Sequence, residues 1–207
     1  MFRKMFDPDS GLMSAMTRIT DCIFLSLFWL LGCIPVVTVG ASCAGVYDAA
    51  FRGFRQGERH PWQRFWQVYR RNWKVGLLPS VVFLAGGYGL AAGMIGLWNG
   101  AVRGAHSWML FAFAAVPALL ALGVLGLLFP VLSRFENSFS GLLKNTVLLA
   151  LANLPRTFGL GVLYGATVLL CVRLAIPVFF LPALTALVSS YLIEPIFKPY
   201  LSDDAAA

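Results

Sequence analysis

Charge is scarce in this chain. Of 207 residues, 9 are acidic, 16 are Lys or Arg and 2 are His, so 12% are charged while 59% are hydrophobic. Soluble domains carry about a quarter charged residues, and a mean hydropathy of +0.77 lies far to the apolar side of them. That excludes a water-soluble globular domain. Two histidines, His60 and His106, cannot assemble the usual imidazole ligand sets. The four cysteines, Cys22, Cys33, Cys43 and Cys171, have no C-x-x-C spacing and sit in or beside apolar runs. They read as free thiols acting as small apolar side chains, so neither a metal site nor a cofactor is expected. No Gly-rich phosphate loop, G-x-S-x-G elbow, paired carboxylates or His/Cys nucleophile set is present, so no catalytic residues and no enzyme activity are expected.

Long apolar runs take the place of charge. A bilayer core about 30 Å thick needs about 20 apolar residues per helix. The expected fold is therefore all-α: a polytopic transmembrane helical bundle of about five spans plus two cytoplasmic interfacial amphipathic helices, forming one integral membrane domain over residues 1–207. Spans are expected near residues 22–39, 75–98, 108–132, 157–172 and 175–194, and interfacial helices near 61–74 and 136–153. The net charge of +7 clusters beside apolar runs rather than in a basic module, which argues against nucleic acid and for positive-inside topology. That topology places the basic segment 52–74 and the C-terminus in the cytoplasm of a bacterial inner membrane, with the loop around Arg103 outside.

The first run ends at "CIPVVTVGAS". Pro35 removes a backbone donor and disfavours helix at Ile34, Val36 to Val39 prefer extended geometry, and Gly40 permits a turn, so a helix break is expected around Pro35, Thr38 and Gly40. Signal-peptide cleavage there is opposed by Arg52, Arg55, Arg59, Arg64, Arg70, Arg71 and Lys74, which resist translocation. A single first span puts the N-terminus outside. A re-entrant first segment with the N-terminus inside is the alternative, because Arg3, Lys4 and Arg18 stand against Asp7, Asp9 and Asp21. Near the cytoplasmic surface the break only redirects the chain, whereas deeper it lines a cavity.

In "PWQRFWQVYRRNWK", Trp62, Phe65, Trp66, Tyr69 and Trp73 share a helical face, while Arg64, Arg70, Arg71 and Lys74 occupy the rest. Such a helix lies at the headgroup level, binding lipid or a partner or simply anchoring the next span. In 136–153, Phe139, Leu142, Leu143, Val147, Ala150 and Leu154 are expected on one face, with Lys144 and Asn145 on another. The run from Phe158 to Ile193 is too long for one span, and Arg173 and Pro177 divide it. Asp48, Arg173 and Glu194 lie near predicted boundaries and read as solvated or snorkelling ends. Gly89-x-x-x-Gly93, Gly96-x-x-x-Gly100 and Gly161-x-x-x-Gly165 suit close helix packing within one bundle, and also leave a homo-oligomer open.

"PVVTVGASCAGVYDAAFRGFRQGE", then "FWQVYRRNWKVG", then "LSRFENSFSGLLKNTVLLALANLPRTF" resemble the YesL family of bacterial membrane proteins, a domain of unknown function. Pro35, Thr38, Gly40, Tyr47, Gly57, Phe65, Asn72, Arg134, Leu154 and Pro155 match its pattern. Members are often encoded beside carbohydrate uptake transporters and glycan-degrading enzymes, so the resemblance implies a role in sugar uptake. A second, incomplete resemblance is to the Glu-Ala-Ala loop with which permeases of binding-protein-dependent ABC importers dock on their ATPase. Glu136 and Leu154-Pro155 have a similar separation, but Asn137 and Ser138 replace the alanines and Gly141 falls one residue early. The resulting expectation is a permease-like or accessory component of carbohydrate ABC uptake. Its docking helix would carry Glu136, Gly141, Lys144, Leu154 and Pro155, and its partners would be the bilayer and ABC transporter ATPase or permease subunits. The alternative is a non-transporting scaffold that binds anionic lipid or a membrane partner through Trp62 to Lys74.

Overall fold

The computed structural model describes residues 11–58, 60–104, 106–134, 139–174, 176–197 and 199, and among them there is no strand. Eight α-helices follow in order: α1 Gly11–Cys33, α2 Val39–Ala50, α3 Pro61–Asn72, α4 Leu77–Arg103, α5 His106–Arg134, α6 Phe139–Ala152, α7 Leu154–Arg173 and α8 Leu181–Phe197. Four stretches are helical, long and apolar enough to cross a bilayer: Met16–Cys33, Leu77–Arg103, Trp108–Arg134 and Leu154–Arg173. The chain is thus an all-α bundle compatible with a multi-pass membrane protein. The last expected span is a shorter apolar helix, α8, of 17 residues, preceded by a 3-10 turn at Ile176–Phe179.

The break at Pro35 has a defined geometry. With no N–H at Pro35, α1 stops at Cys33, and a 3-10 turn, Val36–Thr38, carries the chain onward. Thr38 closes it: its N–H donates to the Pro35 carbonyl at 2.9 Å, and its hydroxyl lies 2.8 Å from both the Gly32 and Pro35 carbonyls. Carbonyls left over at the end of α1 are thereby paired. Trp29 Nε1 donates to Cys43 Sγ at 3.3 Å, Gly32 lies against Ser42, and Leu25 clusters with Val46, Ala49 and Ala50. Rising numbers on one helix meet falling numbers on the other, so α1 and α2 are an antiparallel hairpin. The chain returns the way it came, bringing Asp21 within electrostatic reach of His60. The expected run 22–39 covers the later half of α1, the 3-10 turn and the first residue of α2.

Small residues make α2 the centre of the bundle. Gly40, Ala41, Ser42, Ala44, Gly45, Ala49 and Ala50 are all buried, and this thin helix is contacted by α1, α3, α4, α5 and α8. Gly40 is required at the crossing with α4: a Cβ there would meet Ser80 Oγ at 2.7 Å, the Gly76 carbonyl at 2.9 Å and the Phe129 ring at 3.0 Å. The Gly40 N–H donates to Ser80 Oγ at 2.7 Å, and Ser80 donates to the Gly76 carbonyl at 2.6 Å. Gly57, with φ +75°, turns the chain before α3.

The glycine pairs divide. Gly161 packs on the Leu119 backbone, and on the same contact Gly123 packs on the Thr157 backbone, so α5 and α7 approach through small residues. Gly89, Gly93 and Gly96 of α4 face open space instead, because α4 packs lengthwise only on α5. Packing within the bundle therefore accounts for Gly161 and not for Gly89, Gly93 or Gly96.

α6 is rotated from its expected face. Leu142, Thr146, Leu149 and Ala150 point inward, whereas Val147, Leu148 and Leu151 are exposed. Thr146 can be buried because its hydroxyl donates to the Leu142 carbonyl at 2.7 Å. Leu154 and Pro155, expected to finish this helix, form the first turn of α7, where proline needs no donor.

Candidate functional site

Two carboxylates read as solvated boundary residues are buried. Asp48 is 1% exposed and Glu194 8%. Asp48 faces α3, where Arg64 Nε donates to Oδ2 at 2.6 Å, and its other oxygen lies 3.5 Å from Arg52 Nε one turn along the chain. Glu194 Oε1 accepts from Arg134 Nη2 at 2.8 Å and from the Tyr47 hydroxyl at 3.1 Å. Burial, and then the neighbouring Glu194 carboxylate, push the Tyr47 phenol well above the usual tyrosine range, so it stays protonated and donates.

Between the two pairs the helix widens into a π turn, Phe51–Arg55, a distortion frequent at functional sites. Phe51 is thereby flanked by two guanidiniums, Arg134 at 4.4 Å and Arg55 at 5.3 Å from the ring centre. Arg55 also donates to the Ser190 carbonyl at 3.0 Å and covers the Tyr191 ring at 4.3 Å. The cluster joins α2, α3, α5 and α8 and holds four guanidiniums against two carboxylates, a formal excess of two positive charges. Arg52 Nε and Arg134 Nε are buried with no hydrogen-bond acceptor among the described residues.

Beside Tyr47 lies a cavity of about 360 Å³, walled chiefly by α2, α5, α7 and α8. Val46, Phe83, Leu122, Phe129, Val168 and Ala186 give it an apolar surface. Tyr47 is common to the cavity wall and the Glu194 pair. The break belongs to this neighbourhood too, since Val39 and Cys43 contribute to the wall.

The aromatic residues expected on one interfacial face, and the basic residues expected on the rest of that helix, are each split between inside and outside. Phe65 is fully buried, stacked on Phe28 and lying on Gly45, and Trp66 packs edge-on against Phe28. Arg64 turns inward to Asp48, and Arg71 Nη2 donates to the Ser133 carbonyl at 3.1 Å. Trp62, Arg70, Trp73 and Lys74 remain outward, with Lys74 over the Trp73 ring. Of the expected docking residues, Glu136 lies outside the described residues, Gly141 is half-buried, and Lys144, Leu154 and Pro155 are exposed. Among the described residues no group of His, Cys, Asp and Glu is placed to hold a metal ion.

The buried pairs had only a faint trace in the sequence. Asp48 and Arg52 are four apart on one helix, which suits a pair. Nothing local links Glu194 to Arg134, 60 residues earlier.

A family model described as "Protein of unknown function, DUF624" matches residues 22–94, which take in the α1–α2 hairpin, Asp48, the π turn, α3 and most of α4. No curated protein and no solved structure matches the chain.

Proposed function

We propose that this chain is a multi-pass protein of the bacterial cytoplasmic membrane that acts as an accessory component of carbohydrate ABC uptake, docking an ATPase subunit through α6. The observation that carries the docking element is the outward face of α6. Lys144, Val147, Leu148 and Leu151 are presented together, with Leu148 57% and Leu151 63% exposed, while Leu142, Thr146, Leu149 and Ala150 fix the helix from within. A helix laying an apolar stripe on a partner is a standard recognition mode. An accessory part is favoured over a sugar conduit because the cavity wall is apolar and offers a sugar few polar partners. The carbohydrate assignment rests on the family resemblance.

A photo-crosslinking residue at position 148, in native membranes, tests this. An adduct with an ABC ATPase subunit is expected, and Val147→Glu with Leu151→Glu should abolish it. Recovery of no ATPase subunit removes the reading.

A second reading is supported by Trp62, Arg70, Trp73 and Lys74, which stay outward on α3 and the turn after it and suit anionic headgroups. Arg70→Gln with Lys74→Gln separates the two. A lipid-binding scaffold loses its enrichment of anionic lipid around the reconstituted protein or loses its partner, whereas the α6 docking element keeps its ATPase adduct.

A further inference from the structure

We propose that the cavity between α2, α5, α7 and α8 is a binding site for one alkyl chain. The chain enters past Val168 and Val172 and ends against Tyr47. Burial grades along the wall: Tyr47 is 2% and Ser189 0% exposed, whereas Val168 is 55% and Val172 78% exposed. The deep end is therefore at Tyr47, and the mouth is at the last turns of α7. That mouth is framed by apolar side chains on a helix long and apolar enough to cross a bilayer, so it is continuous with the surface that hydrocarbon would cover.

The wall also decides the chemistry of the occupant. Most of its polar groups are engaged with other side chains or with the backbone. Tyr47 donates to Glu194 at 3.1 Å, Thr167 to the Leu163 carbonyl at 2.8 Å, and Ser189 to the Ala186 carbonyl at 2.9 Å. Thr167 and Thr185 bond each other at 2.9 Å, and Trp29 donates to Cys43 at 3.3 Å. A sugar would bring hydroxyls with no partners, a costly burial. Hydrocarbon needs none, and each buried methylene is favourable. A volume of about 360 Å³ lies at the lower end of the usual range for ligand pockets, which suits one chain and not a whole two-tailed lipid.

Either a phospholipid tail or a free fatty acid supplies this chemistry. The full chain is reconstituted in phosphatidylcholine vesicles doped either with a phosphatidylcholine bearing a diazirine in one tail or with a diazirine palmitate, then irradiated and mapped by mass spectrometry. Adducts are expected on interior Cys43, Tyr164 or Ser189 in at least one arm, and the arm identifies the source. Outward Phe113 and Leu169, 83% and 66% exposed, report general contact with lipid. Val168→Trp narrows the mouth at an exposed position, and Ala186→Leu fills the interior. Relative to Phe113 and Leu169, each should lower interior labelling about tenfold, the ratio produced by losing about two methylenes of burial. Interior labelling absent in both arms, or unchanged by both variants, overturns the proposal.

Discussion

Glu194 and Arg134 meet 2.8 Å apart across 60 residues of sequence, and the Tyr47 hydroxyl closes on the same carboxylate oxygen, Oε1. The side chains of the ion pair are only 10% and 7% exposed. Separating them leaves a charge buried without its counter-ion.

Glu194→Gln and Arg134→Met should therefore each destabilise the fold by about 3–5 kcal/mol, and the combined Glu194→Leu, Arg134→Met variant by much less than their sum. Detergent-titrated unfolding of the full chain measures all three. Additive losses would show that the two residues act independently.

Tyr47 gives the bundle an alkaline limit. Its protonated form is favoured in the fold and its folded pKa lies above the unfolded value of about 10, so its contribution is complete below that pH. Above it the unfolded chain loses its phenolic proton first, and stability falls. The wild type should lose stability from about pH 10 upward more steeply than Tyr47→Phe. Parallel melts from about pH 8 to about pH 11, bracketing the ordinary tyrosine value, compare the slopes.

At the hairpin, Thr38→Val removes the hydroxyl that reaches the Gly32 and Pro35 carbonyls while keeping shape. A loss of about 1–3 kcal/mol is expected. Gly40→Ala should cost a similar amount by forcing α2 away from Gly76, Ser80 and Phe129. Unfolding of the two single variants checks both values. No loss in Thr38→Val would mean that the turn closes without its side chain.

Glycines with the same sequence spacing should behave differently. Gly161→Leu drives a side chain into the Leu119 backbone and should prevent α5–α7 packing, while at Gly93 an added Cβ meets nothing within 4 Å, so Gly93→Ala should leave stability within about 0.5 kcal/mol of wild type. Expression of folded monomer and its melting temperature distinguish them.

Features set by one helix at a time were legible in the sequence. Apolar runs gave the helical class, and Pro35 the end of α1, because hydropathy and a missing N–H act locally. Features set by several helices meeting were not. The side of α6 that turns inward depends on Thr146 bonding its own helix, and the burial of Phe65 depends on Gly45 beneath it. Asp48 looked solvated because its partner Arg64 stands on another helix, 16 residues away. A composition rule sees a charge and predicts water, whereas a counter-charge of the right reach makes burial tolerable. The cavity's one trace was the break near Pro35, beside which Val39 and Cys43 reach its wall; the rest of the wall combines isolated positions from several helices.

The spacing of these contacts also fixes an order of events during synthesis. The α1–α2 hairpin closes through partners such as Trp29 and Cys43, 14 residues apart, whereas Glu194 and Tyr47 are separated by 147. Chains emerge N-terminus first, so Tyr47, Phe51 and Arg134 are in place before their carboxylate has been translated. Arrival of α8 supplies the counter-ion and one wall of the cavity in a single step. A chain stopped before α8 would leave Arg134 and Tyr47 without their shared carboxylate and the cavity open along one side.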